Sequence, residues 1–358
     1  MAVVSTPIIL GPIIGPVLGG AIVSGANWHW IFYVNIPVVI IAVLLNHFYL
    51  TSFKPFNPKA KLDWFGTLLL AGGSVGLIYG MMKGSTNAKN FFNSQMITFV
   101  IIGLALFVIY GIYNRIRKNN TVLPLRFFKS KNFTAANIGI FLAGIASNGP
   151  MLLLPLFFQN TKGFTAVEAG LMLIPQGLGM MVTRPLIGKM IDRMGARPVV
   201  LVSLAISLLG TIPFIFVHEN TNLIWLGLVL FVRGMGIGGL QMPMMTDIFI
   251  GLEKQDIPGA SVGQRIIQNV GSSFGSAIIS AVVTAVVTSE IAGQMTTKLH
   301  QLAAMHTNLT PTVIARAKTS VEKAVTLNGY QLGFLVSSIV LIVIAIPAMF
   351  LSQKKVNK

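Results

Sequence analysis

The sequence predicts an all-α integral membrane protein, a polytopic helical bundle of about ten transmembrane helices. Of its 358 residues, 54% are hydrophobic and only 10% are charged, and the mean hydropathy is +0.77. Soluble domains carry about 25% charged residues, so this composition excludes a soluble globular class. No segment alternates apolar and polar residues as the strands of a membrane β-barrel do.

Ten apolar runs are close to the length of about 20 residues that a helix needs to cross roughly 30 Å of hydrocarbon. In chain order they cover residues 2–22, 30–48, 62–83, 96–116, 133–159, 168–188, 199–217, 222–245, 262–288 and 329–352. Between the last two runs lies a polar stretch, 289–328, which forms either a helical cap or a flexible connection. An even number of spans places both chain ends on the same side of the membrane.

The first run carries two stripes of residues that alter helix packing. They are the glycines Gly11, Gly15, Gly19 and Gly20, and the prolines Pro12 and Pro16. Residues four apart share a helix face, so neighbouring helices approach the glycine stripe closely. Each proline removes a backbone donor, which a membrane tolerates only where protein or water satisfies the freed carbonyl. This helix is therefore predicted to lie inside a bundle.

Two basic, proline-containing linkers, 49–62 and 114–132, divide the chain and enclose a two-helix unit. Three parts are expected: 1–48, the last two helices of an N-terminal bundle; 49–118, an inserted two-helix unit with basic linkers; and 119–358, a six-helix bundle with a polar tail. In the last part, Gly271 and Gly275 repeat the four-residue spacing of the first run. Such repetition is typical of transporters built from two related halves.

The net charge of +17 comes from 26 Lys and Arg against nine acids. Sixteen of the cations lie in one alternating set of loops and in the C-terminal tail, against three in the opposite short loops. This asymmetry follows the positive-inside rule, so the charge indicates orientation in a lipid bilayer and not nucleic-acid binding. We expect a multi-pass protein of a bacterial cell membrane with a cytosolic C-terminus.

Enzyme classes are excluded by missing motifs. The chain has no cysteine, no cluster of metal ligands and no phosphate loop in which Lys is followed by Ser or Thr. The GMGIGG segment at 234–239 looks like a dinucleotide fingerprint, but it lies inside an apolar run with no strand before it. Small-residue helix packing explains these glycines. We therefore expect no enzymatic activity, no metal and no cofactor.

The segment GPIIGPVLGG, followed by NWHWIFYVNIP, resembles the antiporter motif and the next helix start of the fourteen-helix drug/proton antiporter family of the major facilitator superfamily. In that family the motif lies on helix five and helices seven and eight are the inserted pair. The ten spans thus resemble family helices five to fourteen. The resemblance implies that helices one to four, with the acid for proton coupling, are missing. An apolar run directly after Met1 agrees with this expectation.

A second match lies in the turn after the sixth span and resembles the loop signature of the same superfamily. Its residues are Gly188, Lys189, Asp192, Arg193, Gly195, Ala196 and Arg197. Gly195 permits a tight turn, the aspartate is suited to a helix N-terminus, and the arginines bind carboxylates or carbonyls. The spacing predicts a cytosolic gating loop. Ordinary positive charge around a turn is the alternative.

Arg233 stands near the middle of the eighth span, where an arginine costs roughly 2.5–3.5 kcal/mol on insertion scales. It is predicted to face a water-filled cavity or a partner, at a position that parallels the family's helix-four arginine in the other half. The alternative is a structural arginine that bonds helix carbonyls across the groove of Gly234, Gly236 and Gly238. Gln176, Gln241 and Asn137 are further candidate cavity residues.

Two classes of function follow. The first is a secondary active transporter that exports drugs or other amphipathic organic compounds, with the proton as the coupling ion that the resemblance implies. The second is a truncated, non-transporting membrane remnant or a partner subunit. All nine acids lie in loops or at span ends, so a coupling acid is expected outside this chain.

Overall fold

The computed structural model describes residues 15, 18–22, 25, 27, 29–49, 62–85, 91–118, 120–304 and 310–353. Within these ranges every regular element is a helix, which confirms the all-α class. Nine helices in the described ranges are long and apolar enough to cross a membrane. They correspond to the second to tenth predicted spans, whereas most of the first span, 2–22, lies outside the described residues.

The nine helices have the following bounds: α1 Trp30–Tyr49, α2 Trp64–Ser85, α3 Ser94–Ile116, α4 Lys131–Lys162, α5 Ala166–Met194, α6 Ala196–Phe216, α7 Leu223–Ile248, α8 Ile257–Ala304 and α9 Pro311–Ala348. A short 3₁₀ helix, Leu125–Lys129, lies in the linker before α4, and α6 ends in a 3₁₀ turn. A turn at Val34 interrupts α1, and another at Met172 and Leu173 interrupts α5.

The boundary between α4 and α5 follows from local chemistry. Gly163 has a φ of +74° directly after α4, a conformation that glycine adopts without steric cost. Thr165 and Glu168 then form a reciprocal capping box at the start of α5, which satisfies backbone donors that lack a helical partner. The chain therefore reverses between these helices within three residues, Gly163 to Thr165.

The stretch 289–328 is helical over most of its length, because α8 continues to Ala304 and α9 begins at Pro311. With 48 residues, α8 is about 72 Å long at about 1.5 Å per residue, more than twice the hydrocarbon thickness. Ala317, Val321 and Val325 are buried and lie four residues apart on one face. The ends of α8 and α9 therefore form an antiparallel pair that extends beyond the predicted spans.

The remaining helices pack around α4. It contacts α7, α8 and α9, while α7 packs against both α5 and α6. Aromatic rings fill one core, where Phe214 stacks on Phe334 with centroids 4.8 Å apart and Phe157 meets Tyr330 edge-on. The α2–α3 pair joins this bundle along α8.

Every described residue from 29 to 49 is exposed, so α1 buries none of its apolar side chains. Ile36 and Leu44, for example, are 56% and 51% exposed. Such a continuous apolar surface needs lipid or protein against it.

Asp63 ties the start of α2 to the segment after α3. Its Oδ1 accepts hydrogen bonds from the Tyr113 hydroxyl at 2.7 Å and the Gly66 N–H at 2.9 Å. Its Oδ2 accepts from the Val122 N–H at 3.3 Å. Burial alone would raise the pKa of Asp63, but these hydrogen bonds and the charge of Arg117 outweigh it, so the pKa lies below its usual value.

Asp63→Asn is expected to lower the thermal stability of the protein at neutral pH and to flatten its dependence on acid pH. A carboxyl whose pKa is lower in the folded than in the unfolded state stabilises the folded protein. This stabilisation is complete above the unfolded-state pKa of about 3.9 and is lost as the pH falls through the folded-state pKa. Thermal unfolding in detergent across that window measures the effect. Asp192→Asn, at an exposed position, is the control, and a profile for Asp63→Asn equal to that of the wild type would contradict this prediction.

Candidate functional site

The centre of the bundle is a close contact of α7 with α5 and α6 through glycines. A Cβ atom on Gly234 would lie 2.0 Å from the Gln176 carbonyl oxygen, and one on Gly236 would lie 2.3 Å from the Ser207 backbone nitrogen. Glycine alone permits such approach, which agrees with the small-residue packing expected in membranes. The glycine run of α7 is thus a helix-packing surface.

Arg233 lies within this contact and is completely buried, at 0% exposure. Its Nη1 donates a hydrogen bond of 2.7 Å to Oε1 of Gln176 on α5. Its Nε and Nη2 have no hydrogen-bond partner among the described residues. The structure therefore brings together two of the four predicted cavity residues, and the glycine contacts pack α5 and α6 closely around Arg233.

The alternative of a structural arginine that bonds carbonyls across the glycine groove is also not observed. The hydrogen bond of the Arg233 side chain goes to a side-chain amide. The groove at Gly234 and Gly238 is filled by the backbone of Gln176 and Met180. Arg233 is thus a buried cation with two donors that lack a partner among the described residues, and an unpaired buried donor costs about 1–3 kcal/mol, more when it is charged.

Gln241 belongs to a second polar group, on the side of α7 that faces α8. Its Oε1 accepts from Gln268 Nε2 at 3.0 Å, and Gln268 Oε1 accepts from Gln264 Nε2 at 3.0 Å. Sequence analysis did not single out Gln264 and Gln268, although their four-residue spacing in a predicted span was a usable signal. Eight residues of α7, about 12 Å of helix, separate this amide chain from Arg233.

Asn137 stays within its own helix. It is 2% exposed, its Nδ2 donates to the Phe133 carbonyl at 2.8 Å, and its Oδ1 has no partner among the described residues. None of these contacts joins Asn137 to the three other candidate residues.

The predicted antiporter-motif helix is described only in part. Gly11, Pro12 and Pro16 lie outside the described residues. A Cβ on Gly15 or Gly19 would lie within 4 Å of none of the described atoms, whereas a Cβ on Gly20 would be 2.7 Å from the carbonyl oxygen of Ala166 at the start of α5. One glycine of the motif thus contacts the six-helix bundle directly.

The turn of the predicted gating loop packs on the C-terminal segment through its backbone. Gly195 has a φ of +84°, and a Cβ there would lie 3.0 Å from the Ser352 carbonyl oxygen. That oxygen accepts the N–H of Arg197 at 3.1 Å. Asp192, in the last turn of α5, and Arg193 are exposed and form no ion pair with any described residue. A Cβ on Gly188 would have no described atom within 4 Å.

Asp247 completes this contact from the end of α7. Its side chain is completely buried, and its two oxygens accept the Ser352 hydroxyl and, at 3.2 Å, the Ser352 N–H. We call the group formed by Gly195, Arg197, Asp247 and Ser352 the C-terminal clasp. Sequence analysis missed its two hydrogen-bonding side chains, because Asp247 lies just beyond the predicted end of its span.

Asp247→Ala is expected to release the C-terminal segment. Hydrogen bonds to a charged group contribute about 1.5–3 kcal/mol, so the open form should become roughly ten- to a hundredfold more populated. The rate of tryptic cleavage after Lys354, two residues beyond the clasp, measures this change. Thr246→Ala is the matched control, since that hydroxyl donates to the Met242 carbonyl of its own helix. Equal cleavage rates for Asp247→Ala and the wild type would refute the clasp.

Comparison with known proteins finds similarity over most of this chain. The family model of the Major Facilitator Superfamily matches residues 1–253. "Multidrug resistance protein B homolog" of Mycobacterium tuberculosis is 30% identical over 273 residues, 76% of this chain and 50% of that protein. "Probable transport protein HsrA" of Haemophilus influenzae is 30% identical over 74% of this chain and 56% of its own length.

A third relative is "Putative multidrug resistance protein MdtD" of Escherichia coli, 32% identical over 239 residues, 66% of this chain and 49% of that protein. The chain therefore spans about half the length of the curated relatives it matches.

Proposed function

This chain belongs to the major facilitator superfamily, and we propose that it acts in a secondary active transporter that exports drugs or other amphipathic organic compounds. The names of two relatives refer to multidrug resistance, which supports this class of substrate. Alternating access between two helical bundles is the mechanism such a transporter would use.

The observation that carries the proposal is the buried Arg233–Gln176 pair. Ionisable residues inside membrane helices are costly and mark transport pathways or proton relays. Two donors of Arg233 have no partner among the described residues, and a purely structural contact would satisfy them. We infer that these donors become engaged at another step of the transport cycle, when α5 and α6 move relative to α7.

The domain division is part of the same proposal. Residues 1–48 would complete an N-terminal bundle, 49–118 would form the inserted pair, and 119–358 would form the C-terminal bundle. The contact of Gly20 with Ala166 supports an interface between the first and third parts. The contact of α2 with α8 supports the inserted pair as a separate unit on the outside of the bundle.

Proton antiport is the proposed coupling, with the gating loop 188–197 on the cytosolic side. Asp247, beside that loop, is the one acidic residue among those described that is completely buried. Its contacts with Ser352 assign it to the clasp, so the coupling acid is proposed to come from helices that this chain does not contain.

Accumulation of a fluorescent cationic dye in a bacterial strain without its own drug exporters tests the proposal. Cells that express this chain in the membrane together with the helices proposed to supply its coupling acid should accumulate less dye than vector controls, and a protonophore should remove the difference. Equal accumulation at a verified membrane level would support the alternative of a non-transporting membrane protein. Lower accumulation that persists with the protonophore would contradict proton coupling but not export.

A further inference from the structure

A cavity of about 310 Å³ lies between the α2–α3 pair and the six-helix bundle. Side chains of α2, α3, α4 and α8 form its walls, together with the linker before α4. They include Leu70, Phe107, Leu125, Phe128, Phe141 and Val270. No residue of the Arg233 site or of the amide chain contributes to this lining.

The interior of this cavity suits hydrocarbon. Of its lining side chains, Tyr110 carries the one polar group, and that hydroxyl already donates to the Leu123 carbonyl at 2.8 Å and accepts the Leu123 N–H at 2.9 Å. A ligand group inside would therefore find no free side-chain hydrogen-bond partner, and a buried polar group without a partner is costly. The inner part of any ligand must be apolar.

The linker that forms one wall of the cavity also carries lysines. Phe128 belongs to the lining and is also 37% exposed, so the wall reaches the protein surface there. Lys129 follows it directly, and Lys118 lies earlier in the same linker. Both lysines are exposed, and neither forms an ion pair with a described residue. Arg126 is paired with Asp256 at 2.6 Å.

We propose that this cavity binds an acyl chain of an anionic phospholipid, with the phosphate held near Lys129 and Lys118. The linker lies on the side that the positive-inside rule assigns to the cytosol, where anionic lipids attract basic juxtamembrane segments. The lipid fills the space between the inserted pair and α8 and holds these parts together. The basic linker disfavours an amphipathic cation at the same position. This inference does not depend on the proposed transport activity.

The phospholipid retained by the purified protein tests the inference. After a mild detergent wash, mass spectrometry of the protein from phosphatidylglycerol-containing membranes should show a tightly retained phosphatidylglycerol. Ile267→Trp, at a lining position, should reduce its retention roughly tenfold, which corresponds to about 1.4 kcal/mol. The control is Ile101→Trp on α3, where the native side chain is 59% exposed and does not line the cavity.

A charge variant keeps the test decisive if the tryptophan disturbs folding. Lys129→Gln changes a surface residue, so this variant should retain phosphatidylethanolamine normally. Its retention of phosphatidylglycerol should fall roughly fivefold, as expected for ~1 kcal/mol per cation near anionic lipid. Equal retention by Ile267→Trp and Ile101→Trp would overturn the site in the cavity. An unchanged lipid preference in Lys129→Gln would overturn the headgroup assignment, and displacement of the lipid by a cationic dye would identify a drug site instead.

Discussion

Replacing Arg233 with alanine is expected to abolish export while the protein still reaches the membrane at its normal level. The substitution removes a central cation, which by itself eases insertion by roughly 2.5–3.5 kcal/mol, so a loss of protein is not the expected cause. It also leaves the Gln176 amide without its hydrogen bond of 2.7 Å. The loss of dye export, normalised to membrane level, measures the contribution of the guanidinium.

Two further variants separate charge from geometry. Arg233→Lys keeps the charge but lacks the planar fork that serves several acceptors, so export should remain severely impaired. Arg265→Ala changes an exposed arginine of α8 and should leave export unchanged. Full export by Arg233→Ala would remove Arg233 from the mechanism.

Gly234→Ala is expected to be strongly destabilising, because its new methyl group would lie 2.0 Å from the Gln176 carbonyl oxygen. The obstacle is backbone and cannot rotate away, so α7 and α5 must separate, at a cost of about 1–3 kcal/mol or more for overpacking. Thermal unfolding in detergent should show a lower midpoint. Export should also fall, because the same contact positions Arg233.

Gly227→Ala provides the matched control on the same helix. A Cβ at Gly227 would lie 3.8 Å from the Pro175 ring, an ordinary contact distance, and alanine favours a helix over glycine by about 1 kcal/mol. This variant should be as stable as the wild type or more stable. Equal midpoints for the two variants would show that the close approach of α5 and α7 has no energetic consequence.

The membrane-spanning segments could be predicted from sequence because lipid requires long apolar helices whatever their neighbours are. The same criterion failed at the ends of α8 and α9. Polar residues such as Gln294 and Lys318 lie outside the predicted apolar runs, yet α8 and α9 include them. Hydropathy therefore located the spans and not the lengths of the helices.

Arg233 could be singled out from its position alone, since a charged side chain in the middle of a span is energetically costly and marks a functional position. Its burial could not be predicted, because that depends on which glycines of α5, α6 and α7 meet. The C-terminal clasp could not be predicted from sequence for a similar reason, because Asp247 and Ser352 are 105 residues apart in the chain. Gln176 was predicted as a candidate, but only the packing shows that it is the partner of Arg233.

The central claim, export of amphipathic compounds by a secondary transporter, is tested most directly in liposomes with the purified transporter, that is, this chain together with the helices proposed to supply its coupling acid. An imposed pH gradient should drive a cationic dye across the membrane against its concentration, and Arg233→Ala liposomes with equal protein should not do so. Gradient-driven movement in the wild type alone is the result we predict. No movement by a wild-type protein that is correctly folded and inserted would contradict the account.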